Sequence, residues 1–167
     1  SLKTPEIVET GIFEGFDYLI QTQISGELMT RQMWLELSEK EQKRFINKLA
    51  VGLKQIHQFK ADSFADDWAD FIKNRAETFI ERQIAHGVNQ QIIEVLPKFI
   101  EENLKLVPTA PTVFLHGDVH FGNLRVEKTN GDWRISGLFD FADSRRGFYE
   151  YEFLAVGVLM IQGQREI

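Results

Sequence analysis

Two short segments gather the residue types of this 167-residue chain best suited to chemistry. The first is His116-Gly117-Asp118-Val119-His120-Phe121-Gly122-Asn123, and the second is Asp140-Phe141-Ala142-Asp143. An aspartate that holds no metal can accept a hydrogen bond from a hydroxyl and take its proton. An asparagine amide oxygen and a second carboxylate are hard oxygen donors of the kind Mg2+ prefers while it keeps several waters. An unperturbed Asp has a pKa of about 3.9. It is too weak a base to ionise an alcohol in the ground state, so its proton transfer comes late and orientation is its larger contribution.

The spacing narrows the chemistry. A histidine, an aspartate two residues on and an asparagine five beyond reproduce the kinase catalytic loop H-R-D-x-x-x-x-N, and Asp140-Phe141-Ala142 nearly matches D-F-G. Phosphoryl transfer passes through a loose, charged transition state, so positioning and charge neutralisation do most of the work. On this reading Asp118 is the base, Asn123 and Asp140 hold magnesium, and the nucleotide phosphates complete its shell. Other readings compete. Aspartates also form turns. His116-x-Asp118-x-His120 with Asn123 loosely resembles a two-metal phosphoesterase, but no histidine follows His120 and Asp140 is left without a role. His116 reads more readily as a brace than as a catalyst. His120 stands either behind the base or merely exposed, and His57 reads as packing or capping. Asp143 binds a second metal or caps a turn. Arg145-Arg146 reads as a solvated pair, with phosphate contact as the alternative.

These residues need a scaffold. Phe16 to Gln23 is rich in aromatic and β-branched residues and predicts a strand that Ser25-Gly26 ends. Leu28 to Leu37 reads as a short helical or irregular connection. Ser38 with Glu41 makes a capping box and starts a helix running to about Gln58. Phe45, Ile46, Leu49, Leu53 and Ile56 form its buried stripe. A second helix is expected from Phe64 to about His86. A third follows Gly87 and the cap Asn89, with Pro97 as a kink. Short strands then follow at Thr112–Leu115, Asn123–Glu127 and Asp132–Phe139, with the hairpin turn Asn130-Gly131 between the last two. Tyr149 to Ile161 closes the chain as a helix. The catalytic loop thus hangs between two strands, and Asp140 sits at the end of a third.

Composition sets the outer limits. An apolar share of 43% and a charged share of 26% fit a globular domain of ordinary make-up. The net charge of −6 argues against a nucleic-acid or anionic-membrane partner. With no cysteine there are no disulfides and no thiolate metal sites. No apolar run approaches the length of a membrane span and no signal-peptide pattern opens the chain, so a cytoplasmic protein is expected.

The two segments, His116-Gly117-Asp118 through Gly122-Asn123-Leu124 and Leu138-Phe139-Asp140-Phe141-Ala142-Asp143, resemble the aminoglycoside phosphotransferase-like kinases, whose loop reads H-G-D. Choline, homoserine, methylthioribose and fructosamine kinases are relatives. Gly52-Leu53-Lys54-Gln55-Ile56-His57 is similar to that family's helix ending in Leu-His. Tyr151-Glu152-Phe153-Leu154-Ala155 is similar to its Asp-Leu-Ala segment, with Glu152 for the usual aspartate. The resemblance implies a protein kinase-like α+β fold and ATP-dependent transfer of the γ-phosphoryl group to a small-molecule hydroxyl, with ATP and Mg2+ as cofactors. His116 and Gly117 then support the loop around Asp118. Tyr18 to Gly26 resembles the hinge, so the Thr22 carbonyl and Ile24 amide would bond adenine, with Gln21 as gatekeeper. No glycine-rich loop or strand lysine precedes it. Residues 1–26 are therefore expected to be the end of an N-terminal lobe and its hinge-like strand, and residues 27–167 a C-terminal lobe cut short. A piece of this kind would be inactive alone, which leaves a catalytically silent binding module as the alternative. Antibiotic, sugar, choline-like amine and amino alcohol are all open as acceptors.

Overall fold

The computed structural model describes residues 2–60, 62–65 and 67–164. Asp66, inside the second expected helix, and the outer bounds 1 and 167 of the expected units lie outside the described residues. The architecture is α+β, as the resemblance implies, with helices and, among the described residues, three small antiparallel sheets.

The first sheet is a hairpin of β1 (Ile7–Phe13) and β2 (Phe16–Gln21). The β2 strand was legible, but β1 was not. The hairpin stands off the core, leaving Ile12, Phe13 and Phe16 exposed. After it, β3 (Glu27–Leu28) adds to the edge of β5 (Leu124–Thr129), which pairs in turn with β6 (Asp132–Leu138). Asn130 and Gly131 turn that hairpin with φ of 53° and 87°. Such values are why these two residue types occupy the turn. The third sheet pairs β4 (Val113–Leu115) with β7 (Arg145–Gly147). The connection expected to be helical or irregular, Leu28 to Leu37, contains the end of β3 and then the helix α1 (Arg31–Glu36).

The helix α2 (Glu39–Ile56) forms as its signals require. The Ser38 side chain accepts from the Glu41 amide and the Glu41 carboxylate returns to the Ser38 amide. Phe45, Leu49, Gly52 and Leu53 are its buried face. Phe45, Leu49 and Leu53 pack with Met29, Trp34, Val119, Leu124, Val126 and Leu138 in one core. Burying Leu49 and Leu53 stabilises the fold by roughly 1.5–3 kcal/mol each. The loop that carries His116 to Asn123 rests on this core through Val119.

The second expected helix is two, α3 (Trp68–Glu77) and α4 (Phe79–Ala85). The Thr78 hydroxyl bonds back to the Asn74 carbonyl at the break, the local competition that lets Thr end a helix. The next helix, α5 (Gln90–Leu104), starts at the Asn89 cap and tolerates Pro97 within it. The closing helix is irregular: a 3-10 turn (Tyr149–Glu152), one α turn (Phe153–Ala155) and a π turn (Val156–Met160). No helix among the described residues is long and apolar enough to cross a membrane.

Candidate active site

The loop between β4 and β5 carries the first segment. Its opening histidine is fully buried. The Asp118 amide donates to His116 Nδ1 at 3.2 Å, so the ring's proton sits on Nε2, which faces the Phe139 carbonyl at 3.0 Å. Both nitrogens are thereby occupied and the ring packs edge-on to Phe141. His116 is a brace between the loop and the strand end before Asp140. A metal would have to displace one of these bonds, which counts against the phosphoesterase reading. Gly117 has φ of 89°, and a Cβ there would run into the Asp143 carbonyl. Only glycine meets both demands.

Asp118 and Asn123 are joined directly. Both hydrogens of the Asn123 amide go to Asp118, to its carbonyl at 2.9 Å and to Oδ2 at 3.1 Å. Those two acceptors fix the amide's orientation and leave Oδ1 as the donor oxygen. The Asn123 carbonyl takes the Phe139 amide at 3.1 Å, and Leu124 pairs with Leu138. Asp140 is the next residue, so the hairpin brings all three site residues to one end of the sheet. Asp140 adopts φ of 67°, a left-handed conformation that aspartate tolerates better than most residues. Its Oδ1 also accepts weakly from the Ala142 amide at 3.4 Å.

The donor set fits magnesium. Asn123 Oδ1 and the exposed Asp140 carboxylate are hard oxygens, and magnesium needs few protein ligands when phosphates and water supply the rest. No cage of three or more acidic or imidazole groups exists among the described residues.

The hinge-like residues lie on a separate strap. The Thr22 amide donates to the Glu6 carbonyl and its hydroxyl accepts from the Glu6 amide, both at 2.9 Å. The buried Ile24 side chain packs against Gly137, three residues before Asp140. Ser136 ties the strap down through the Ser25 carbonyl at 2.7 Å. Ile24 thus rests on β6, the strand that leads to Asp140, whereas the bonds of Thr22 run to Glu6. Lys3, counted with them in the first unit, instead bridges to Gly137.

Glu152 is the functional residue that spacing did not assign. It is 1% exposed, and its carboxylate accepts the His116 and Gly117 amides, each at 2.9 Å. His57 Nε2 adds a third contact at 3.2 Å. The end of α2 and the closing helix therefore grip the loop just before Asp118. An acid within the apolar run Tyr151 to Ala155 was the available signal, since buried carboxylates are kept only where donors meet them. Arg145 and Arg146 are not a solvated pair. Arg145 stacks 3.7 Å from the Phe71 ring centroid, and Arg146 donates to the Thr112 hydroxyl at 3.2 Å.

A family model described as the phosphotransferase enzyme family matches residues 2–166. A hydroxylysine kinase from Xenopus laevis is 32% identical over 100 residues, which cover 53% of this chain and 26% of that protein. The GDP complex of wild-type aminoglycoside 2'-phosphotransferase-IIIa superimposes on 99% of this chain and 62% of its own, with TM-score 0.75 and 14% identity. A streptomycin-ATP-APH(2")-IIa ternary complex covers 93% of this chain and 54% of its own, with TM-score 0.64 and 23% identity. These structural likenesses establish a shared fold. The chain spans about a quarter of the hydroxylysine kinase and less than two thirds of the solved structures.

Proposed function

The chain belongs to the phosphotransferase enzyme family, and from that membership we propose that it serves ATP-dependent transfer of the γ-phosphoryl group to a hydroxyl of a small molecule. The observation that carries this reading is the bonded pair Asp118 and Asn123 standing one hydrogen bond from the residue before Asp140. Asp118 accepts the hydroxyl's hydrogen bond and takes its proton as the phosphoryl group transfers. Asn123 Oδ1 and Asp140 would hold magnesium, which would supply charge neutralisation at the phosphates. His116, Gly117 and Glu152 fix the loop so that Asp118 is aimed before substrate arrives.

The Thr22 carbonyl and the Ile24 amide would hydrogen-bond the adenine of the nucleotide. Residues 1–26 then serve as hinge and lobe end, and residues 27–167 carry the catalytic loop. The nucleotides named in the structures of similar fold, GDP and ATP, support a nucleoside triphosphate donor. The name hydroxylysine kinase supports an amino alcohol among the acceptors.

The test is phosphoryl transfer by the protein and its Asp118→Asn variant, over a panel of amino alcohols, sugars and aminoglycosides. Removing the base lowers turnover by about 10²–10⁴-fold while nucleotide affinity stays close to wild type. Unchanged turnover in Asp118→Asn refutes the assignment.

A further inference from the structure

We infer that His120 is the positioning residue of Asp118: its Nε2–H, together with the Asn123 amide, locks Oδ2 of the carboxylate and leaves Oδ1 to receive the acceptor's hydroxyl. The inference rests on the phosphotransferase reading, because it assigns a role within that reaction. His120 Nδ1 accepts the Gly122 amide at 2.9 Å, so its lone pair is committed and the ring proton belongs on Nε2. Nε2 lies 3.2 Å from Asp118 Oδ2, the same oxygen that Asn123 Nδ2 meets at 3.1 Å. Among the described residues no donor reaches Oδ1.

The ring is held in place by its own turn. His120 caps the 3-10 turn Phe121–Asn123 from an extended backbone. A side chain at Gly122 would come within 2.7 Å of the imidazole Cε1, so glycine is what allows the ring to lie there. Phe121 packs on the buried Trp34 ring at 5.8 Å, anchoring the turn to the core. A carboxylate with one donor can rotate and exchange its two oxygens. With two donors converging on Oδ2 from opposite partners, that rotation breaks both bonds. The reacting oxygen is therefore chosen before substrate binds, the kind of preorganisation that positioning catalysis requires.

Two substitutions separate this role from the cap. Asparagine keeps an oxygen for the Gly122 amide but is too short to reach Asp118, whereas glutamine restores the reach. In His120→Asn, kcat is expected to fall about 10–100-fold with KM for ATP within about 2-fold and an unchanged melting temperature. His120→Gln is expected to return to within about 3-fold of wild type. Wild-type turnover in His120→Asn overturns the inference, and so does a His120→Gln variant as defective as His120→Asn. A second measurement is independent of turnover. Long-range proton–nitrogen correlation spectra of the protein should show His120 as the Nε2–H tautomer, with a protected ring proton that Asp118→Ala exposes to exchange. An Nδ1–H tautomer, or a ring proton indifferent to Asp118→Ala, overturns it. Should no acceptor be phosphorylated by wild type, the phosphotransferase reading falls, while the ring measurement still decides the fate of this contact.

Discussion

Changing Glu152 to glutamine tests how far the loop that carries Asp118 depends on a buried carboxylate behind it. The native side chain receives three donors, two of them the amides immediately before Asp118. Glutamine keeps one acceptor oxygen and places an N–H group where the other stood. One buried amide then loses a charge-assisted bond and faces another donor, a loss of about 1.5–3 kcal/mol. For a domain of this size each kcal/mol moves the melting temperature by about 2–4 °C, so Glu152→Gln should melt about 3–12 °C below wild type. Turnover should fall as well, because a loop displaced by about 1 Å can lose on the order of 10²-fold in rate. The assay is thermal and urea unfolding of wild type, Glu152→Gln, His57→Ala and the double variant. His57 and Glu152 share a contact, so the double variant should be less destabilised than the sum of the singles, with a coupling of about 0.5–3 kcal/mol. A Glu152→Gln protein melting within about 1 °C of wild type refutes the claim that this carboxylate holds the loop.

Replacing Asp140 by asparagine should weaken nucleotide binding in the presence of magnesium and leave metal-free nucleotide binding unaltered, as read by calorimetry with and without the metal. Substituting Ser38 by alanine removes the cap of α2 and should cost about 1 kcal/mol of stability without changing turnover. The Glu41 carboxyl sits below its ordinary value of 4.5, chiefly because the Ser38 hydroxyl bonds to it. A depressed carboxyl stabilises the fold above its unfolded value and loses that contribution as pH falls through its folded one. The stability gap between wild type and Glu41→Gln should therefore be present at pH 7 and shrink as pH falls below the ordinary carboxylate range in urea unfolding.

The sequence by itself determined what neighbours along the chain decide. Ser38 and Glu41 cap α2 because they stand one turn apart, and Asn130-Gly131 turns a hairpin because both accept positive φ. Phe45, Leu49 and Leu53 face the core because helical spacing puts them on one side. The spacing from His116 to Asn123 fixed the candidate base and its amide partner for the same reason: both lie within one short loop. Tertiary structure decided the rest. Strand β7 forms only because β4 lies beside it, and nothing in Arg145-Arg146-Gly147 favours a strand alone. The break at Thr78 depends on a hydroxyl's choice of partner within a stretch whose periodicity runs on unbroken. Glu152 reads as a lone acid in an apolar run, and its meaning appears only when folding brings it to amides 36 and 35 residues away. Likewise His120 is one of four histidines in the sequence, and only the folded turn commits one nitrogen to Gly122 and turns the other toward Asp118. Periodicity and spacing carry information over a turn or two of chain. Which donor meets which buried oxygen is settled by packing between elements far apart in sequence.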